Sequence, residues 1–146
     1  MLSNTLNIFK LKYLRFAMFS DLGNYGRLGN QLFQYSAVRS YSLKYDVQLF
    51  LPEPSFHKLD NFHITSHYVK RDTLQAVKRV QFEEKQFHYD PDFFQYKKKK
   101  DFKGYFQTEK YFKADREIIL NELRLKDKNK NDYCKKYINK IKSNNN

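Results

Sequence analysis

Residues 12–35, KYLRFAMFSDLGNYGRLGNQLFQY, decide the fold of this chain. The first part, KYLRFAMF (12–19), is aromatic and apolar and ends at Ser20-Asp21, a pattern that predicts a buried strand. Three of the four glycines follow, at positions 23, 26 and 29. A helix is predicted from about Asn30 to Lys44, because Asn30 is a favourable N-cap. Apolar and small residues recur at helical spacing along one face of this helix: Leu32, Phe33, Ser36, Ala37, Ser40 and Tyr41.

A second strand is predicted at VQLFL (47–51), which Pro52 and Pro54 end. The first half of the chain therefore reads as strand, glycine loop, helix and strand. This is the opening unit of a parallel sheet. We expect an α/β, Rossmann-like fold.

The remaining elements are less regular in sequence. Asp90 and Asp92 flank Pro91, which indicates a turn rather than an acid–base pair. We expect a strand or loop at 59–64, a helix at 72–80, an aromatic loop at 88–96, a solvated lysine turn at 97–100, a strand at 102–107 and a helix at 112–125.

Length and composition limit what the chain can do by itself. It has 146 residues, of which 40% are hydrophobic and 18% aromatic, which fits one globular domain. Two well-packed α/β lobes do not fit in that length. A site that needs a cleft between two such lobes is therefore not complete in this chain.

Cysteine and histidine suggest neither a disulfide nor a metal site. Cys134 is the only cysteine, which excludes an intrachain disulfide. His63 and His67 have the i, i+4 spacing of two ligands on a helix, but the sequence around them does not favour a helix. We expect no metal.

The N-terminus does not read as a targeting or spanning segment. Its apolar patches are interrupted by Lys10, Lys12 and Arg15, well short of the ~20 apolar residues that a span needs. We expect a cytoplasmic protein or one that is peripherally membrane-associated.

The net charge of +12 is unevenly distributed. Residues 1–96 carry 12 basic and 9 acidic side chains, a net of +3, whereas residues 97–146 carry 16 and 7, a net of +9. A basic surface favours nucleic acid through counterion release. The chain also has 21 Lys and 12 Asn with few glycines and prolines, a bias that an AT-rich coding sequence produces without selection for charge. We expect no nucleic acid partner.

The glycine loop is a candidate anion site. A glycine loop that opens a helix after a strand presents free N–H groups at the positive end of the helix dipole. Gly26 and Gly29 permit close ligand approach, Arg27 offers a fork to phosphate, and Asn30 and Gln31 offer amides to sugar or phosphate oxygens. The spacing matches neither the dinucleotide fingerprint nor the Walker A loop. A structural turn and a ligand loop both remain open.

Two blocks of sequence resemble one enzyme family. GRLGNQLFQY (26–35, the glycine segment) is similar to the N-terminal signature of the α-1,2-fucosyltransferases, glycosyltransferase family 11. GYFQTEKYF (104–112, the aromatic segment) resembles the family's G-Y-W/F-Q-S-E-K-Y-F block, and LDNFHI (59–64) resembles a stretch between the two. The resemblance covers about residues 12–125.

This resemblance implies a fold and an activity. The fold is GT-B-type, with two Rossmann-like halves and the donor GDP-fucose bound between them. The activity is transfer of fucose, with inversion, to the 2-hydroxyl of a galactoside, without a metal ion or other cofactor. The substrate-binding residues that it implies are Gly26, Arg27, Gly29, Asn30, Gln31, Gln107, Glu109 and Lys110.

Two pairs of residues in the aromatic segment each have two possible roles. Glu109 and Lys110 either contact the acceptor or form a salt-bridged pair at a helix start. Tyr105 and Phe106 either stack on a sugar ring or lie in the core.

One departure from the family affects the expected activity. The family's donor-binding and catalytic signature, His-x-Arg-Arg-x-Asp-Tyr, is absent, and no Arg-Arg pair occurs in the sequence. We therefore expect residues 1–125 to form the N-terminal, acceptor-side half of such an enzyme and residues 126–146 to be a polar Lys/Asn-rich linker. The donor domain would then be missing from this chain, which makes a separately encoded C-terminal half a candidate partner.

On this interpretation the chain is a fragment that is inactive alone, with catalytic residues unassigned. The alternatives are a basic nucleic-acid-binding module and a functionless remnant.

Overall fold

The computed structural model describes residues 14–126, 135, 139–140 and 142–143. Its centre is a five-stranded, all-parallel sheet with the order β3-β2-β1-β5-β4. The strands are β1 (Phe16–Met18), β2 (Gln48–Pro52), β3 (His67–Val69), β4 (Val80–Glu83) and β5 (Lys99–Lys103). The parallel α/β sheet expected from the sequence is confirmed.

Helices cover both faces of the sheet. They are α1 (Leu28–Tyr45), α2 (Arg71–Ala76) and α3 (Arg116–Glu122). Helix α1 packs on β1 and β2, and α3 packs against α1. On the opposite face, Leu74 of α2 packs with Phe16 and Met18 of β1. Because both faces of the sheet are covered, all of β1 and all of β2 except Gln48 are buried.

The α1 side of the sheet holds an aromatic core, and Phe93 lies at its centre. The Phe93 ring, fully buried, lies 4.6 Å from that of Tyr111 and 4.7 Å from that of Phe102, measured between centroids. Tyr41 and Phe106 also contact it, at 6.2 and 5.2 Å. Much of the aromatic content of the chain is therefore used in packing.

The lysine run 97–100 is not the solvated turn that its charge suggested. Lys99 and Lys100 belong to β5, so the strand begins three residues before the predicted start at Phe102. Lys100 is 2% exposed, and its Nζ donates to the carbonyl oxygens of Asp92, Phe93 and Gln95 at 3.3, 2.6 and 2.8 Å. Three carbonyl acceptors compensate the buried ammonium, which a pattern of charges alone does not reveal.

The prediction for α1 was wrong in two details. Its N-cap is Arg27 rather than Asn30. Phe33, which the prediction placed on the apolar face of the helix, is 38% exposed. Four residues of the predicted face, Ser36, Ala37, Ser40 and Tyr41, are buried, and the buried face also includes Gln34 and Val38.

Other element boundaries also differ from the expected ones. Helix α2 ends at Ala76, and Val80 starts strand β4 instead of ending the helix. The predicted helix 112–125 is α3 alone, preceded by 3-10 turns at Glu109–Tyr111 and Lys113–Asp115. The 59–64 stretch is a 3-10 turn at Leu59–Asn61, and the turn at Asp90–Asp92 is confirmed, with the Asp90 carboxylate accepting from the Asp92 N–H.

Little of the predicted linker lies within the described residues. Its first residue is tethered, since the Lys126 N–H donates to the Asn61 oxygen at 2.9 Å and its Nζ to the Asp60 oxygen at 2.8 Å. Cys134 lies outside the described residues. No helix in the described part of the chain is long and apolar enough to cross a membrane.

Candidate functional site

The glycine and aromatic segments meet at one edge of the sheet. All five strands are parallel, so their carboxyl ends lie at the same edge. The glycine segment follows β1 and the aromatic segment follows β5, and these two strands are neighbours. From β1 the chain continues to β2 and β3 on one side, whereas β5 and β4 lie on the other. A reversal of strand order of this kind creates a crevice in which α/β proteins bind ligands.

Side chains join the two segments directly. Gln107 donates its side-chain amide to the Asn30 side-chain oxygen. Gln34 is fully buried and donates to the Gly104 carbonyl at 2.9 Å. The structure therefore brings together Asn30 and Gln107, which lie 77 positions apart in the sequence.

A buried carboxylate holds the end of β1 beside β5. Asp101 is fully buried and accepts from the Ser20 N–H at 3.0 Å and the Ser20 hydroxyl at 2.7 Å. Arg79 forms an ion pair with the same carboxylate at 2.7 Å. Burial raises the pKa of Asp101, and the Ser20 and Arg79 donors oppose this effect. These contacts fix the position of Ser20, where the chain leaves the sheet and enters the glycine loop.

The N-terminus of α1 is open to a ligand. No side chain caps it, its first turn has no acidic residue, and the Arg27 side chain is exposed. Its first N–H groups have no partner within the helix and lie at the positive end of the dipole. These features are suited to an anion.

The two glycines of this turn differ in their surroundings. Gly26 has φ +72°, and a Cβ there would lie 1.9 Å from Asn30 Nδ2, so the fold itself requires glycine. A Cβ on Gly29 would have no atom within 4 Å. The fold gives Gly29 no packing reason to be glycine, whereas close approach of a ligand to the helix would give one.

Gln31 is committed to the fold. It is 5% exposed, and its Oε1 accepts from the Lys58 N–H at 2.9 Å, which ties α1 to the segment after β2. Arg71 holds the glycine loop from the other side, since it donates to Asn24 and to the Leu22 oxygen. The loop is therefore fixed before any ligand binds.

The aromatic segment begins with a strained turn. Gly104 has φ +150°, and Phe106 has φ +52°, which is uncommon outside glycine. Glu84 stabilises this turn, because its Oε2 accepts from the N–H groups of Tyr105 and Phe106 at 2.7 and 3.0 Å. Phe106 is fully buried in the core, and Tyr105 is half-buried at the surface.

Glu109 and Lys110 border two different depressions beside α1. Both are exposed, and they form no ion pair with each other. Glu109 borders an apolar groove between α1 and α3, of about 170 Å³, that Phe33 also lines. Lys110 lines a different depression, together with Ser40. With a helix rise of about 1.5 Å per residue, Ser40 lies roughly 20 Å from Arg27 along α1.

A pocket at the same edge of the sheet was missed in the sequence. It has a volume of about 160 Å³ and spans the segments after β1, β5 and β4. We call it the tyrosine pocket, and its lining is Tyr25, Glu83, Glu84, Lys85, Gln86, Phe87, Lys103, Gly104 and Tyr105. Of the residues that line this pocket, the sequence singled out only Tyr105 as a stacking candidate, because strand β4, which brings Phe87 to this edge, was not predicted.

The described residues contain no group of three or more His, Cys, Asp or Glu side chains placed to hold a metal ion. Burial of Lys100 removes one cation from the surface that the lysine run was expected to form. No family model, curated protein or solved structure matches this chain.

Proposed function

We propose that this chain is the acceptor-side half of a GT-B-type glycosyltransferase that uses GDP-fucose and fucosylates the 2-hydroxyl of a galactoside. The donor-binding half, which in this family carries the His-x-Arg-Arg-x-Asp-Tyr signature, is not contained in residues 1–146. The observation that carries the proposal is the contact between the glycine and aromatic segments. The two blocks that resemble the α-1,2-fucosyltransferases follow neighbouring strands and are joined by the Asn30–Gln107 and Gln34–Gly104 hydrogen bonds.

The open end of α1 has a defined chemical role in this proposal. Negative charge grows on the diphosphate as the sugar–phosphate bond breaks. Fixed N–H groups and a guanidinium beside that charge stabilise the transition state more than the ground state. The first turn of α1 and Arg27 supply these groups. No residue of this chain is assigned as general base.

Gly29 offers a test that separates ligand binding from folding. Replacing it by alanine meets open space in the fold. We expect Gly29→Ala to stabilise the chain by up to about 1 kcal/mol through helix propensity. If the diphosphate approaches this turn, the added methyl group weakens its binding.

The experiment titrates GDP into the full chain and follows backbone amide shifts by NMR. We expect shifts at 26–31, weaker binding by Gly29→Ala and Arg27→Ala, and no change in Arg124→Ala, a matched exposed arginine outside the edge. Shifts elsewhere, or full binding by a stabilised Gly29→Ala, contradict the assignment of the diphosphate to α1.

A transfer assay tests the whole proposal. The chain is co-expressed with a polypeptide that carries the His-x-Arg-Arg-x-Asp-Tyr signature, and fucose transfer from GDP-fucose to lactose is measured. We expect transfer only when both polypeptides are present, and a loss of transfer with Arg27→Ala. Absence of transfer from a stable complex of the two polypeptides contradicts the proposal.

A further inference from the structure

We propose that the tyrosine pocket binds one uncharged hexopyranoside ring, by stacking on aromatic side chains. The ring would be that of the acceptor, and its identity as a galactoside rests on the proposed function. Binding of a pyranoside at this place rests only on the geometry of the pocket.

The pocket has one exposed aromatic ring, Phe87, beside two half-buried rings, Tyr25 and Tyr105. Phe87 is 80% exposed, and its only ring neighbour is Tyr105, at 6.0 Å between centroids, among the described residues. The Tyr25 ring also contacts Tyr105, edge-on, at 6.4 Å between centroids. A single exposed apolar side chain is ordinary, whereas three aromatic rings that meet at one cavity offer a ligand a contiguous apolar surface. The electron-rich face of such a ring packs well against the C–H face of a pyranose.

The charges around the pocket favour a neutral ligand. Its lining contains two acidic residues, Glu83 and Glu84, and two basic ones, Lys85 and Lys103. Lys103 pairs with Glu83 at 3.0 Å across the ends of β4 and β5. With formal charges that sum to zero, the pocket has no net attraction for a phosphate. Its carboxylates and ammonium groups offer acceptors and donors to hydroxyl groups.

The size of the pocket suits a single ring. About 160 Å³ is well below the roughly 300–1,000 Å³ of sites that enclose a drug-sized ligand. A longer glycan would extend from the pocket into solvent or along the edge of the sheet. There it would meet Gly104, whose carbonyl is bonded to Gln34 of the glycine segment.

Glu84 acts as a positioning residue for this pocket. By accepting from the N–H groups of Tyr105 and Phe106, its carboxylate holds the turn that carries the Tyr105 ring. A ring fixed before binding loses less conformational entropy on contact with a sugar. Because the Glu84 carboxylate already accepts from both of these N–H groups, they are not available to a bound anion. The anion site proposed at this edge is therefore the N-terminus of α1.

The test is an NMR titration of the full chain with methyl β-D-galactopyranoside. We expect a dissociation constant on the order of 1–10 mM and shifts at Tyr25, Phe87 and Tyr105. Phe87→Ala, at an exposed position, should weaken binding at least fivefold, and Phe87→Tyr should restore it. Tyr96→Ala is the matched control, since Tyr96 is 41% exposed and packs on Tyr45 away from this edge.

Three results would overturn the proposal: no shifts at the pocket in the folded chain, unchanged affinity in Phe87→Ala, or preferential binding of inorganic phosphate there. In the co-expressed transferase, Phe87→Ala should raise the acceptor KM at least fivefold with little change in kcat. An unchanged KM refutes the pocket as acceptor site while the fucosyltransferase proposal stands. Sugar binding by a chain that supports no transfer upholds the pocket and refutes the proposed function, and with it the role of the sugar as an acceptor.

Discussion

Glu122 connects α3 to the rest of the domain, and its removal should be among the most damaging single changes. Its carboxylate accepts from Arg39 Nε at 3.1 Å and Nη2 at 2.9 Å, and from the Tyr35 hydroxyl at 2.6 Å. The side chains of Arg39 and Glu122 are only 15% and 9% exposed. Desolvation and the bond to Glu122 both raise the pKa of Tyr35, so this hydroxyl remains a donor.

Glu122→Ala leaves a guanidinium and a hydroxyl without their acceptor. Breaking a buried ion pair from one side costs about 3–5 kcal/mol, and the residual exposure of Arg39 favours the lower end. We expect a loss of about 3 kcal/mol in the free energy of unfolding. With a urea m-value of about 2 kcal/mol/M, the midpoint should fall by roughly 1.5 M.

Urea unfolding followed by circular dichroism measures this loss, and two comparisons define its origin. Glu117→Ala removes an exposed carboxylate from the same helix, where the Arg116–Glu117 pair is 60% and 88% exposed, and should change stability by less than about 0.5 kcal/mol. The double variant with Arg39→Met should be less damaged than the sum of the single changes, by about 2 kcal/mol. A loss below about 1 kcal/mol in Glu122→Ala, or simple additivity, would refute the reasoning.

Three further predictions concern other residues of the fold. Gly23→Ala should cost more than about 2 kcal/mol in urea unfolding, because its φ is +93° and a Cβ would lie 1.6 Å from the Phe56 oxygen; Gly29→Ala is the control, and a neutral Gly23→Ala contradicts the geometry. Burial lowers the pKa of His57, whose ring nitrogens contact the Pro52 oxygen and the Leu59 N–H. The neutral ring therefore contributes fully to the free energy of unfolding above about pH 6.5, and this contribution is lost as the pH falls. His57→Asn should flatten that part of the plot of stability against pH, and an unchanged slope would contradict the prediction. Burial lowers the pKa of Lys100 to about 8, whereas its pKa in the unfolded chain is near 10.5. Between these two values the free energy of unfolding of the native chain, measured relative to Lys100→Met, should rise by up to about 1.4 kcal/mol per pH unit. A difference that does not change with pH would contradict this prediction.

The well-predicted part of the fold lies where local pattern and tertiary environment agree. Strand β1, the glycine loop, α1 and β2 follow each other closely, and the continuous apolar runs of β1 and β2 fit strands that are covered on both faces. The edge strands β3 and β4 were not predicted, because most of their side chains face solvent and show no apolar run. The start of β5 was missed because Lys99 and Lys100 resemble a surface turn until the carbonyl acceptors of Lys100 are known.

The candidate site divides in the same way. Its glycines, Arg27 and Asn30 stand in one short segment, where a strand-to-helix turn by itself indicates an anion site. The contact of Asn30 with Gln107, and the position of Lys110 beside Ser40, depend on which strands are neighbours and on how α1 is oriented.

The sequence by itself determined the parallel α/β class, the opening unit and the position of the glycine segment, because these depend on interactions between residues near each other in the chain. Tertiary structure alone decided that β5 lies beside β1, that Gly29 faces open space and that Tyr25, Phe87 and Tyr105 surround one pocket. The physical reason is that these features arise from pairing between strands more than 60 residues apart, such as Phe16 with Lys99. Hydrophobic period indicates which face of a strand is buried, but it carries no information about which strand lies alongside.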